Sequence, residues 1–136
     1  MFARTSQPSY AGITNETYVG ADRREPGAVT LEGDWRSDRQ FVELRKGTGK
    51  IMLPFTAGEV NVVVQPGPSG SAAVSVVLDG KPVGELRGAD VGTDGVARFD
   101  GPGMIRLVAG ASRRQHVLTL ATSAPGVRAF SFTFGP

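Results

Sequence analysis

Glycine and proline interrupt this chain too often for helices of ordinary length to form. The 136 residues include 19 glycines and 9 prolines. In a helix interior, glycine costs about 1 kcal/mol and proline about 3 kcal/mol relative to alanine. No stretch of the chain keeps the 3.6-residue apolar period of an amphipathic helix. The sequence therefore predicts a core built from short extended segments.

Short apolar stretches recur from Val29 onward, separated by Gly, Pro, Asp or Ser, which is the spacing typical of a β-sandwich. Residues 1–28 are rich in polar, charged and turn-forming residues, so we expect an irregular lead-in there and a sandwich domain over 29–136. The predicted strands are at about 29–36, 39–45, 49–56, 59–65, 72–79, 82–87, 95–99, 103–109, 115–122 and 127–134.

Two local patterns support this fold class. Phe130, Phe132 and Phe134 recur at period two, which predicts three rings on one face of the last strand. Asp79–Gly80 lies between two apolar stretches and predicts a two-residue hairpin turn, because glycine readily adopts the positive φ that such a turn requires. We therefore expect an all-β fold, a two-sheet antiparallel β-sandwich of the jelly-roll, carbohydrate-binding-module-like kind.

Composition excludes several classes of function. The chain has no cysteine, so thiolate chemistry, disulfides and Cys-ligated zinc are excluded. The net charge is +2 and the basic residues are scattered, so we expect no nucleic-acid partner. No apolar run approaches the roughly 20 residues of a membrane span. Residues 1–10 lack the apolar segment of a signal peptide, so we expect no targeting signal in this chain.

Groups suited to catalysis are few, and we expect no enzyme and no cofactor. His116 is the one histidine and opens a predicted strand. We interpret it as a structural residue that hydrogen-bonds a neighbouring turn, with a catalytic base or metal ligand as the alternative. Asp90 and Asp94 resemble part of a calcium-binding turn, but the remaining ligands are missing. Calcium at these two residues is the one cofactor left open, since aspartate is also an ordinary turn residue.

Aromatic side chains mark a candidate ligand site. Sugar sites use rings with a polar handle against the apolar C–H patches of a pyranose, surrounded by polar side chains. Trp35 and Tyr18 can provide such rings, and Glu16, Asp34 and Arg36 are the nearby polar groups. The alternative for Trp35 is a core residue, as a single tryptophan in a sandwich often is.

Several segments taken together resemble a known family. They are Glu16-Thr-Tyr-Val-Gly20, Leu31-Glu-Gly-Asp-Trp35, Leu78-Asp-Gly80, Gly88-Ala-Asp90 with Asp94-Gly95, and the ending from Pro125 to Gly135. Over about residues 14–135 the chain resembles the C-terminal domain of DipZ-type proteins. In these bacterial membrane proteins of cytochrome c biogenesis and thiol–disulfide interchange, a thioredoxin-like (redoxin) domain precedes a carbohydrate-binding-module-like jelly roll. The resemblance implies an extracytoplasmic location, in the periplasm or cell envelope, as part of a longer protein.

Two hypotheses for function follow. The first is a non-catalytic binding module, similar to a carbohydrate-binding module and accessory to a thioredoxin-like redox protein, with a glycan as ligand. The second is a structural, protein-interaction or oligomerisation sandwich that binds no sugar and contacts a thioredoxin-like domain or a second copy. An exposed aromatic cleft would favour the first, and a buried Trp35 with a large apolar face would favour the second.

Overall fold

The protein is all-β, as the sequence predicts. The computed structural model describes the backbone of residues 2–4, 9–10, 15–19 and 28–136, and the side chains of 29–136. These residues contain no α-helix, and so no helix that could cross a membrane. The strands are β1 (Phe2–Arg4), β2 (Ser9–Tyr10), β3 (Asn15–Val19), β4 (Ala28–Ser37), β5 (Val42–Phe55), β6 (Glu59–Gln65), β7 (Ala72–Leu78), β8 (Lys81–Pro82), β9 (Val96–Phe99), β10 (Gly103–Val108), β11 (His116–Thr122) and β12 (Arg128–Gly135).

All strand pairs are antiparallel, and they form two sheets joined through β5. The first sheet has the order β1-β3-β4-β5-β11-β7, with β2 also on β4 and with β8 and β9 on the far side of β7. The second sheet has the order β12-β6-β10. The carboxyl-terminal half of β5, Gly49 to Phe55, pairs with β11, whereas Val42 and Glu43 pair with β12. One long strand therefore belongs to both sheets.

The core lies between the two sheets. Along β6, β7 and β11, every second residue is buried, as expected for strands with one face on a core. Trp35 and Leu120 from the first sheet and Val62 and Ile105 from the second line one internal cavity of about 20 Å³. Side chains from both sheets therefore meet in one apolar layer, which confirms the two-sheet sandwich.

The hairpin turn at Asp79–Gly80 is confirmed. Asp79 has φ of 54° and Gly80 has φ of 80°, the conformation of a type I′ turn, and Leu78 pairs with Lys81. The strand predicted over 82–87 ends early, because Gly84 takes a positive φ of 62° and begins a 3-10 turn. Only Lys81–Pro82 remains extended beside β7.

Two predicted strands, 39–45 and 49–56, are a single strand, β5. The sequence predicts an interruption at residues 46–48, between the two strands. Instead, the pairing with β4 shifts register, since Glu32 pairs with Lys50 while Asp34 pairs with Lys46. Gly33 and Gly47 take positive φ values of 111° and 71° at this irregularity. The glycines bend the strand through a β-bulge and leave it paired on both sides of the bend.

Strands also occur where the sequence predicts an irregular lead-in. β3 runs along β4, with Asn15 opposite Leu31 and Tyr18 opposite Ala28, and β2 places Tyr10 opposite Trp35. Polar composition does not prevent this, because the backbone N–H and C=O groups of polar residues form the same ladder hydrogen bonds as those of apolar ones.

The period-two prediction for the last strand holds for two of its three rings. Phe132 and Phe134 pair with Val62 and Val60, and Phe132 is 2% exposed. Between Ala129 and Ser131 the register slips by one residue, so Phe130 is the extra residue of a bulge. Its ring packs against Phe41 with 5.4 Å between centroids. The bulge breaks the strict alternation that placed all three rings together.

Candidate functional site

Trp35 lies in the core. The structure therefore corrects the prediction that its ring is exposed and stacks on a ligand. The side chain is 1% exposed, and its indole Nε1 donates a hydrogen bond to the carbonyl oxygen of Glu32 at 2.7 Å. A Cβ at Gly49 would come within 2.6 Å of both Trp35 and Leu44, so the glycine leaves room for the ring. The alternative interpretation of Trp35 as a core residue is the one that the structure supports.

Arg36 belongs to a cluster that joins the two sheets. Its Nη2 lies 3.3 Å from Glu43 Oε1, and Arg128 Nε donates to the same oxygen at 2.8 Å. Both guanidinium groups lie over the Phe41 ring, at 5.4 Å for Arg36 and 4.3 Å for Arg128. These contacts link β4 and β5 to β12, which gives Arg36 a structural role on the outer surface.

Of the other predicted ligand residues, only Asp34 has a described side chain. Asp34 Oδ1 is 3.7 Å from Arg45 Nη1, and the Asp34 side chain is 15% exposed. Glu16 and Tyr18 lie on β3, with backbone pairing to Thr30 and Ala28. Their side chains lie outside the described part of the chain, so their role in binding stays a prediction.

The carboxylate oxygens of Asp90 and Asp94 accept hydrogen bonds within a turn and at strand ends. Calcium would need carboxylate oxygens of the same two residues. Asp94 Oδ1 accepts a hydrogen bond from the Val96 amide at 3.1 Å, and its Oδ2 lies 2.8 Å from Arg98 Nη2. The hydrogen bond from Arg98 lowers the pKa of Asp94. Asp90 Oδ2 accepts from the Arg106 amide at 2.8 Å. Within the described residues, no group of three or more His, Asp or Glu side chains is arranged to hold a metal ion.

His116 contacts a neighbouring turn, as the sequence predicts. It is 2% exposed, and its Nδ1 lies 2.7 Å from Asp79 Oδ2 in the hairpin turn. The second oxygen of Asp79 accepts from the Val117 amide at 2.8 Å. These hydrogen bonds lower the pKa of Asp79, the bond with His116 most. The Phe55 ring stacks on the imidazole, with 5.4 Å between centroids.

The contacts of Ser112 with His116 and of His116 with Asp79 follow the same order as those in the catalytic triad of serine hydrolases. Their geometry, however, favours a structural role. His116 Nε2 is 3.3 Å from Ser112 Oγ and only 3.0 Å from the carbonyl oxygen of the same residue. A general base needs a free lone pair toward the hydroxyl. Here the carbonyl oxygen of Ser112 lies nearer to Nε2 than its hydroxyl does, so the ring contacts the backbone of the loop before β11 as closely as its side chain.

An open groove of about 600 Å³ lies at one end of the first sheet. It forms where the start of β7, the end of β9 and the segment after β11 meet. Because Ala72 pairs with Phe99 and Ala73 with Arg98, residues distant in sequence are adjacent here. The lining residues are Ser71, Ala72, Ala73, Arg98, Phe99, Asp100, Ser123 and Ala124.

The groove combines one aromatic ring with a polar rim. Phe99 is partly buried and packs against the core, so its position is fixed. Ser123 Oγ is 2.8 Å from Thr48 Oγ1, which anchors one wall to β5. Ala73 is exposed at the groove surface, and its small side chain leaves the space open. This arrangement can accept a small polar ligand that has one apolar face.

The sequence analysis missed this groove. Its one local sign is the run Arg98-Phe99-Asp100, an aromatic residue between two charged ones just before a Gly-Pro turn. The alanines and serines that complete it carry no recognisable pattern, because three separate segments supply them.

The amino-acid sequence matches the model of a known protein family. The family model described as the thioredoxin-like C-terminal domain matches residues 3–135. The chain belongs to this family. No curated protein matches the sequence of this family member.

Among solved structures, this domain is similar to parts of carbohydrate esterases. One is a family two carbohydrate esterase from Clostridium thermocellum in complex with cellohexaose, at 20% identity and a TM-score of 0.57, covering 89% of this chain and 31% of that one. An active-site mutant of a family two esterase from the same organism matches at 20% identity and 0.57, covering 90% and 31%. The domain thus spans about a third of the length of these proteins, and the likeness shows the fold.

Proposed function

We propose that this domain is a non-catalytic binding module of the carbohydrate-binding-module type, accessory to a thioredoxin-like redox protein of the DipZ type. The observation that carries the proposal is the groove at the end of β7, β9 and β11, which is lined by the aromatic Phe99 together with polar residues. Apolar C–H faces of a pyranose pack against an aromatic ring, while side-chain oxygen and nitrogen atoms satisfy its hydroxyl groups. The groove therefore replaces Trp35 as the place where we expect a sugar to bind.

The comparisons support this proposal at a coarse level. The fold is shared with part of an esterase that was solved in complex with cellohexaose. The description of the family as a C-terminal domain supports a thioredoxin-like domain earlier in a longer protein. An extracytoplasmic location is part of the same proposal, since DipZ-type proteins act in the bacterial cell envelope.

The non-catalytic part of the proposal rests on the chemistry of the side chains. With no cysteine in the chain, thiol–disulfide exchange would have to come from the partner domain. The one histidine is buried and bonded through both ring nitrogens. Hydrolysis of p-nitrophenyl acetate by the domain should equal that of a Ser112→Ala variant. A faster wild type would show that the Ser112–His116–Asp79 arrangement is catalytic.

The binding proposal is tested by NMR titration of the ¹⁵N-labelled domain with soluble neutral oligosaccharides. We expect saturable shifts of the Ala73, Phe99 and Asp100 amides, with Kd near the millimolar end, about −4 to −6 kcal/mol. Ala73→Phe fills the groove from an exposed strand position and should abolish the shifts. Thr133→Phe is the matched control, since it adds the same ring at an exposed position of β12 in the other sheet. Equal binding by both variants would refute the groove as the site.

The second candidate is a protein-interaction domain, which the burial of Trp35 favours. Its predicted large apolar face is not found among residues 29–136, where the exposed large hydrophobic side chains are Met104 and Val117. These residues lie in different sheets and form no common patch. If no sugar perturbs the groove and the domain binds a thioredoxin-like protein, this second function is correct.

A further inference from the structure

The charges around the groove indicate which class of sugar it accepts. Arg98 is the one cationic side chain in the lining, and its Nη2 lies 2.8 Å from Asp94 Oδ2. The hydrogen bond that Arg98 donates to Asp94 raises the pKa of Arg98 and lowers the pKa of Asp94. Both groups are therefore charged at neutral pH, and the positive charge of Arg98 is already balanced.

Asp100 is the one carboxylate among the described residues that line the groove. It has no ion-pair partner among residues 29–136. The lining holds one guanidinium and one carboxylate, and the guanidinium is paired with Asp94 beside the groove, so Asp100 leaves this region with a net negative charge. A carboxylate at short range repels another carboxylate, whereas it accepts hydrogen bonds from neutral hydroxyl groups.

We propose that the groove is selective for neutral sugar units and disfavours acidic ones such as uronates. This inference rests on the proposed function, because it names the ligand class of the same site. Asp100 accepts hydrogen bonds from the sugar hydroxyls, and the N–H groups of Arg98 that do not face Asp94 donate to sugar oxygens. Phe99 contacts the C–H face of the ring. A carboxylate on the sugar would lie near Asp100 and meet a cation already paired with Asp94.

The test compares neutral oligosaccharides with their C6-oxidised counterparts, so that each pair differs only in CH₂OH against a carboxylate. The probes are tetramers of the cello, manno and galacto series and the matching uronates. We expect the neutral member of a bound pair to bind about tenfold more tightly, which is 1.4 kcal/mol. The ratio should shrink as salt is added, because exposed charges are screened.

Asp100→Asn removes the unpaired charge and keeps the size of the side chain. We expect it to tighten binding of the uronate at least threefold and to narrow the gap to the neutral sugar. Equal or tighter wild-type binding of uronates at the groove amides would overturn the selectivity and leave the proposed function intact. If neither member of any pair shifts those amides, both the selectivity and the glycan-binding function are refuted.

Discussion

Asp79→Asn isolates the contribution of one carboxylate to the stability of the sandwich. Asp79 accepts a hydrogen bond from the Val117 amide at 2.8 Å and lies 2.7 Å from the buried ring of His116. It does so from a turn position with φ of 54°. Asparagine tolerates this left-handed conformation, so the substitution removes the charge and leaves the turn intact.

The magnitude follows from the two hydrogen bonds. A hydrogen bond to a charged group contributes about 1.5–3 kcal/mol, and a neutral one about 0.5–1.5 kcal/mol. The amide of the variant keeps one acceptor oxygen, so we expect a loss of about 1–2 kcal/mol at pH 7. For a chain of this size, each kcal/mol corresponds to about 3–5 °C in Tm. Asp100→Asn is the charge-matched control and should leave Tm nearly unchanged.

The pH dependence gives a second readout. The pKa of Asp79 is lowered in the folded state, mainly by the hydrogen bond with His116. A lowered folded pKa adds stability above the unfolded pKa of about 3.9, and this stability is lost as the pH falls through the folded pKa. Urea unfolding followed by Trp35 fluorescence should therefore show a gap between wild type and Asp79→Asn at pH 7 that shrinks below about pH 4. A gap of zero at pH 7, or one that grows in acid, would refute this reasoning.

Three further predictions use the same measurements. Trp35→Ala should cost about 3–5 kcal/mol of stability, and the wild-type emission should be blue-shifted and unchanged by every sugar; red-shifted emission would place the ring in solvent. Phe132→Ala should cost about 3–5 kcal/mol and Phe134→Ala less, since only Phe132 is fully buried; equal losses would contradict the register of β12. In an insulin-reduction assay the domain should behave like buffer, because exchange needs a thiolate, and turnover by pure protein would contradict this.

The parts of the fold that sequence predicts are those fixed by local rules. Asp79–Gly80 predicts its turn because few residues accept positive φ twice in succession. The spacing of apolar stretches by Gly, Pro, Asp or Ser predicts the strands that are found as β6, β7 and β11. In each case the residues within a few positions carry the whole signal.

The parts that sequence does not predict depend on pairing between distant strands. Phe130 keeps the period-two pattern in sequence, but the bulge in β12 moves it toward Phe41. Gly33 and Gly47 are ordinary turn residues by composition, and only the register shift between β4 and β5, at which both lie, makes this segment a bend within one strand. The groove at Phe99 is missed for the same reason, since three segments meet there.

The membership of β5 in both sheets makes the domain a single mechanical unit. Its first residues are bonded to β12 and its last residues to β11, with β4 alongside both parts. The two layers therefore cannot slide past one another or open like a hinge without breaking this strand. Within a longer protein, the domain would move as one rigid body. Any change in the position of its groove would then come from the connecting segment.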